Sequence, residues 1–141
     1  MKKRKYGITI LILLIFAVVL TVHTILMPKN INELLGINNS HKQIICIEQT
    51  KEGEDLSQKD LVSGSKSYSI IEKSFDKLIC NDKSYESTMY IGNGLYSLYI
   101  NSNEHTYLVT FNEKGKMFYD GKKYTVDDGN FYNILEKEMK K

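Results

Sequence analysis

The chain has 141 residues, of which 19 are Lys or Arg and 17 Asp or Glu, with two Cys, one Pro and no Trp. That length holds one domain plus an anchor. Its formal charge of +2 splits into +4 in residues 1–5 and −2 beyond Pro28, where 15 Lys face 17 acidic residues; so interspersed a balance lacks the basic footprint of a nucleic-acid-binding protein and excludes nucleic acid as a partner.

Residues 1–5 form a basic tail, Met-Lys-Lys-Arg-Lys, and no residue from Tyr6 to Pro28 carries a formal charge. A helix over 6–27 would be about 33 Å long at roughly 1.5 Å per residue, close to the hydrocarbon thickness of a bilayer. Such a helix satisfies its own backbone N–H and C=O groups, as lipid demands. A small soluble domain rarely sheathes a helix that is apolar all round, so the pattern predicts a transmembrane helix with the lipid bilayer as its partner. A cleaved signal would need a small-x-small exit, and Thr21 to Met27 offers none. No Cys follows closely enough for lipid attachment. The expectation is therefore an uncleaved signal anchor. Four cationic residues precede the run and only Lys29 follows it closely, which puts the N-terminus in the cytoplasm and residues 29–141 outside.

Lys outnumbers Arg 18 to one, with 16 Ile and 11 Asn; all three have A/T-rich codons. This layout of basic tail, apolar run and Lys/Tyr/Asn-rich domain resembles the small membrane-anchored proteins of low-GC Gram-positive bacteria. The resemblance carries no motif and implies no active-site residues.

Beyond the run, residues 28–42 read as a juxtamembrane segment and 43–141 as the domain. Ile31, Leu34 and Leu35 fall at helical spacing, and Gly36 can close that turn. Asn38-Asn39-Ser40 matches a glycosylation sequon, of little weight in a bacterial chain. Gln43 to Gln49 is a short branched apolar run and reads as a strand; Leu56 to Val62 reads as a short strand or irregular edge. Over Ser67 to Asn81 the residues Ile71, Phe75, Leu78 and Ile79 make one helical stripe, and Ser69 with Glu72 has capping-box spacing.

From Tyr85 to Val126 the period changes to two. Strands are expected at 87–91, 95–101, 105–111, 117–119 and 123–126, separated by Gly- and Asn-bearing turns that tolerate positive φ. Asp120-Gly121 is the strongest hairpin signal. A closing helix over 129–140 would be capped by Asp127 or Asp128 and packed through Phe131, Leu135 and Met139. The sum is an α+β fold: an N-terminal transmembrane helix, then an antiparallel β-meander with two amphipathic helices on one face.

Chemistry is sparse. Cys46 and Cys80, each flanked by Ile, read either as two buried thiols or as a disulfide, allowed outside the cytoplasm; a bridge would close a loop of about 35 residues and stabilise by roughly 3–4 kcal/mol in the chain-entropy picture. His23, His41 and His105 lie far apart, so neither a metal nor a cofactor is expected. Asp120, Asp127 and Asp128 lack calcium-loop spacing. His105 with Asp127 or Asp128 would be the nearest thing to a scattered catalytic site in an envelope enzyme. Tyrosines concentrate in the sheet, and Tyr is suited to recognition as well as to packing; Tyr96 or Tyr99, on opposite faces of one strand, marks the candidate binding surface. The expected function is a non-enzymatic, membrane-tethered interaction module at the cell surface, with an envelope protein or wall polymer as partner, or else a secreted protein released by signal cleavage.

Overall fold

A computed structural model of the chain describes residues 2–85, 91–126 and 130–141. Helix α1 spans Lys2–Leu26 and stops just before Pro28, which lacks the N–H that would continue it. None of the stretch Gly7–Thr24 is buried by the rest of the chain. The hydroxyls of Thr21 and Thr24 donate back to the carbonyls of Ala17, at 2.8 Å, and Leu20, so these polar atoms are satisfied within the helix. Among the described residues α1 is the one helix long and apolar enough to cross a membrane; a signal sequence passes the same test.

The fold begins almost at once after α1. Strand β1 (Lys29–Asn30) pairs antiparallel with β4 (Ile79–Tyr85), Lys29 opposite Cys80 and Asn30 opposite Ile79. Helix α2 (Ile31–Leu35) follows, its first turn capped by Asn30 Oδ1, which accepts from Asn32 N at 3.0 Å. Gly36 ends it at φ +70°, the left-handed stop its position suggested. The stretch expected to be juxtamembrane thus supplies Ile31, Leu35 and Ile37 to the core.

The expected strands at 43–49 and 56–62 and the expected meander join one sheet, to which β1 and β4 are added. Among the described residues this sheet has eight strands, all antiparallel. In addition to β1 and β4 these are β2 (Gln43–Thr50), β3 (Ser57–Asp60), β5 (Leu95–Ser102), β6 (His105–Asn112), β7 (Lys116–Tyr119) and β8 (Lys122–Val126). Their order is β1-β4-β8-β7-β6-β5-β2-β3. Strands β5 to β8 form the meander read from the alternation, and Asp120-Gly121 turns β7 into β8 with φ of 49° and 68°, the twist a two-residue hairpin needs. The expected strand at 87–91 falls largely outside the described residues.

Helix α3 is shorter than expected. It runs Lys66–Phe75, and Leu78 turns the chain into β4, so Ile79 and Cys80 are strand. Its N-cap is Ser65, whose Oγ accepts from Tyr68 N at 3.1 Å; Ser69 and Glu72 lie within the helix and form no capping box. The physical reason for the early stop sits at Asp76. Its carbonyl accepts from Asn30 Nδ2 at 2.7 Å, and its carboxylate takes Asn32 Nδ2 at 2.8 Å and the Lys42 ammonium. These bonds fix the helix end against β1 and α2, and the branched residues after it pair as strand. Helix α4 (Phe131–Met139) closes the fold; Asp127 and Asp128 lie outside the described residues.

Helices α2, α3 and α4 share one face of the sheet. The core there joins Ile71 and Phe75 of α3, Phe131 and Leu135 of α4, and Leu98, Val109, Phe111 and Met117 of the central strands. Phe131 stands edge-on to Phe111 with ring centres 4.9 Å apart, and Tyr132 supports Tyr96 in the same way at 4.9 Å. Each such aromatic side chain removed from water contributes on the order of 2–3 kcal/mol by area.

Candidate binding cleft

A large hollow lies where α2, β4 and β8 meet, beside the end of α1. It measures about 1000 Å3. Its apolar part is built from Met27, just past α1, with Leu34 of α2, Cys80 of β4 and Tyr124 of β8; its cationic part comes from Lys29, Lys83 and Lys122. Asp82 and Asn81 complete the lining, together with Tyr85, which is 75% exposed.

Register explains how three separate strands deliver these side chains to one place. β4 pairs with β1 on one side and β8 on the other, so Cys80 stands opposite both Lys29 and Val126, and Tyr85 opposite Lys122. Between Asn81 and Ser84 that pairing is irregular, and Asp82 takes φ +50°. A bulge of this kind bends the strand and re-aims its side chains. Lys83 Nζ lies 5.3 Å from the centre of the Tyr85 ring. Lys122 Nζ lies 3.3 Å from Asp120 Oδ2, and that carboxylate holds the lysine's pKa above its ordinary value. The cleft therefore combines an apolar floor with a rim of lysines, a pairing of surfaces that fits an amphipathic anion.

A second, smaller hollow of about 270 Å3 opens at the far end of β5 and β6, among His41, Gln43, Asn101 and Glu104. Ser102 beside it has a buried hydroxyl without a hydrogen-bond partner.

The residues singled out from sequence fall as follows. Tyr96 is 1% exposed and belongs to the core, its hydroxyl accepting from Gln49 Nε2 at 2.8 Å; burial, with Tyr132 and Glu136 adding to it, pushes its pKa up to about 12. Tyr99 faces the other side of the sheet, half-buried, and donates to Glu48 Oε2 at 3.1 Å. Of the two, Tyr99 is the one on the partly exposed face. Neither Cys46 nor Cys80 is in a disulfide, and both are buried. Four strands separate β2 from β4 in the sheet. Cys46 also lies on the side away from the helices, opposite Tyr99 and Asp60, while Cys80 packs in the core with its sulfur 3.9 Å from Met117 Sδ. A bridge needs Cα atoms within about 7 Å and facing Cβ vectors, and the strand order keeps these two apart. His23 lies exposed in α1, His41 lines the smaller hollow, and His105 is exposed opposite Ser102. Among the described residues no three His, Cys, Asp or Glu side chains gather as a metal site would require. Neither Asp127 nor Asp128 lies within the described residues, so the scattered site with His105 falls outside them.

No protein-family model, curated protein or solved structure matches the chain. The cleft therefore rests on its own residues. Lys29, Lys83 and Lys122 are far apart in the chain, and the β1-β4-β8 order unites them.

Proposed function

We infer that the protein is a membrane-tethered binding module, held by α1 and presenting residues 29–141 outside the cytoplasm. The observation that carries this reading is the bare apolar helix. Every residue from Gly7 to Thr24 is exposed in the folded chain, among them Ile8, Leu13 and Phe16, each about 60% exposed. A soluble protein leaving so continuous an apolar surface in water would aggregate, whereas lipid accepts it. The basic tail before the helix supports the orientation. The cleft is the binding face, because it is a large concavity that combines convergent charge with an apolar floor.

Alkaline carbonate extraction of cell membranes, followed by protease treatment of intact cells, tests the reading. The expected result is a carbonate-resistant chain with its N-terminus intact, digested from outside without lysis. A full-length chain in the supernatant removes the anchor, and a shortened chain in the medium replaces it with secretion after signal cleavage.

A further inference from the structure

The position of the cleft along the chain says what it would meet. The most apolar 18-residue stretch ends at Thr24, the apolar run continues to Met27, and Met27 forms part of the cleft wall. At about 1.5 Å per residue the end of that stretch and the wall stand about 5 Å apart along the axis. With Gly7–Thr24 in the hydrocarbon, the mouth of the cleft is therefore level with the headgroups of the outer leaflet. Lys29 follows at once, and its strand is bonded to β4, which carries Lys83 and Tyr85. Only Met27 and Pro28 separate α1 from β1, and Asn30, Asn32 and Lys42 beyond them are all tied to Asp76.

The contents of the cleft match that location. Among the described lining residues three are lysines and one, Asp82, is a carboxylate. Asp120, beside the cleft, pairs with Lys122, which leaves Lys29 and Lys83 as the cations without a carboxylate partner among the described residues. The apolar floor of Leu34, Cys80 and Tyr124 continues into the core, and its volume of about 1000 Å3 exceeds what an inorganic ion requires. Tyr85, mostly exposed beside Lys83, has the amphipathic character that settles at a membrane interface. We propose that this cleft binds the headgroup and glycerol region of an anionic phospholipid, the phosphate held by Lys29, Lys83 and Lys122 and the acyl-proximal part lying on Leu34, Cys80 and Tyr124. Bound lipid would fix the domain against the bilayer surface. This inference rests on the anchored reading above.

The test is native mass spectrometry of the full chain released from detergent micelles doped with equal amounts of phosphatidylglycerol and phosphatidylcholine. Both lipids carry the phosphate, so the comparison reads the net charge of the headgroup. Each unpaired positive charge in the cleft is worth about 1 kcal/mol, roughly fivefold, toward the lipid without the choline cation. With three lysines offset by Asp82 and by the Asp120 that pairs with Lys122, the wild type should therefore retain phosphatidylglycerol over phosphatidylcholine by about fivefold or more. The triple variant Lys29→Gln, Lys83→Gln, Lys122→Gln should bring the ratio near one. Asp82→Asn should raise it. A control triple, Lys51→Gln, Lys73→Gln, Lys137→Gln, removes equal charge from residues that do not line the cleft and should keep the preference. Loss of preference in the control, or its persistence in the cleft variant, would overturn the proposal. So would displacement of the lipid by millimolar inorganic phosphate or glycerol phosphate, which would make a soluble phosphate the ligand. Circular dichroism of each variant checks that the domain is folded, and Lys→Arg at the three positions should restore the preference. The two readings fail differently: a chain that needs no detergent loses its anchor, whereas one that needs detergent but shows no lipid preference loses only the cleft assignment.

Discussion

The middle of the sheet and its β4 end are built on different terms. β5 and β6 pair from Leu95–Asn112 to Ser102–His105 without interruption, and their helix-facing side chains lie under α3 and α4. β4 is joined to β8 through an irregular register, carries Asp82 at positive φ, and leaves a cleft over Cys80 and Tyr124. The first region is continuously paired and packed, while the second has kept charge, space and exposed aromatic surface. Tolerance to substitution should divide along the same line.

The largest effect belongs to the packed region. Phe131→Ala removes a ring that meets both Phe75 and Phe111 and should cost about 3–5 kcal/mol in denaturant unfolding. Tyr85→Ala at the cleft should cost under about 1 kcal/mol, as exposed sites do. A reversed order would break the comparison. Next comes the joint between the two regions. Asp76→Ala strands the buried Lys42 ammonium, which also lies 5.6 Å from the Phe75 ring centre, and should cost roughly 3 kcal/mol. It should also loosen β1, visible as faster amide exchange at Ile31, whose N–H bonds to Leu78 O at 3.0 Å.

Gly94→Ala sharpens the comparison at the packed end. Gly94 has φ +122°, and a Cβ there would sit 2.9 Å from Lys51 Cγ and 3.2 Å from Thr50 O; the expected loss is about 1–3 kcal/mol by unfolding midpoint. Tyr96 supplies a pH signature of the same core. Its folded pKa is about 12, raised from 10.0, so the unfolded chain releases this proton first. Its contribution is whole below pH 10 and is lost as pH rises from 10 toward 12. In Tyr96→Phe the alkaline slope over that window should flatten. Glu138 works in the opposite direction. Burial alone would raise its pKa, but hydrogen bonds from Lys141 and Ser67 and the nearby Lys59 charge outweigh that and lower it below 4.5. Its contribution is present above that value and fades as pH falls through the folded one, an acid slope that Glu138→Gln should remove. The smallest change is Glu104→Gly, which relieves a non-glycine residue at φ +67° in the β5–β6 turn and should stabilise by up to about 1 kcal/mol.

Local signals carried much of this fold. The apolar run, the Gly36 stop, the Asp120-Gly121 hairpin and the β5–β8 alternation were readable because each depends on neighbours a few residues apart. What escaped was set at long range. Ile79 and Cys80 fit a helical stripe as well as a strand, and only the bonds that Asp76 makes to Asn30, Asn32 and Lys42 decide between them. β1 is two residues long and has no pattern of its own. Tyr96 and Tyr99 could be assigned to opposite faces, but which face the helices would cover depended on packing. The cleft was invisible for the same reason: its lysines become neighbours through strand order alone.

Site-specific labelling of intact cells with a membrane-impermeant maleimide tests the central claim most directly, because Cys46 and Cys80 are only 4% and 3% exposed and should stay silent. Cysteine introduced at Asn38 should label without lysis. Cysteine at Phe16, a position 61% exposed in the isolated chain, should remain unlabelled until detergent removes the lipid. Labelling at Phe16 in untreated cells, or at Asn38 only after lysis, would contradict the account.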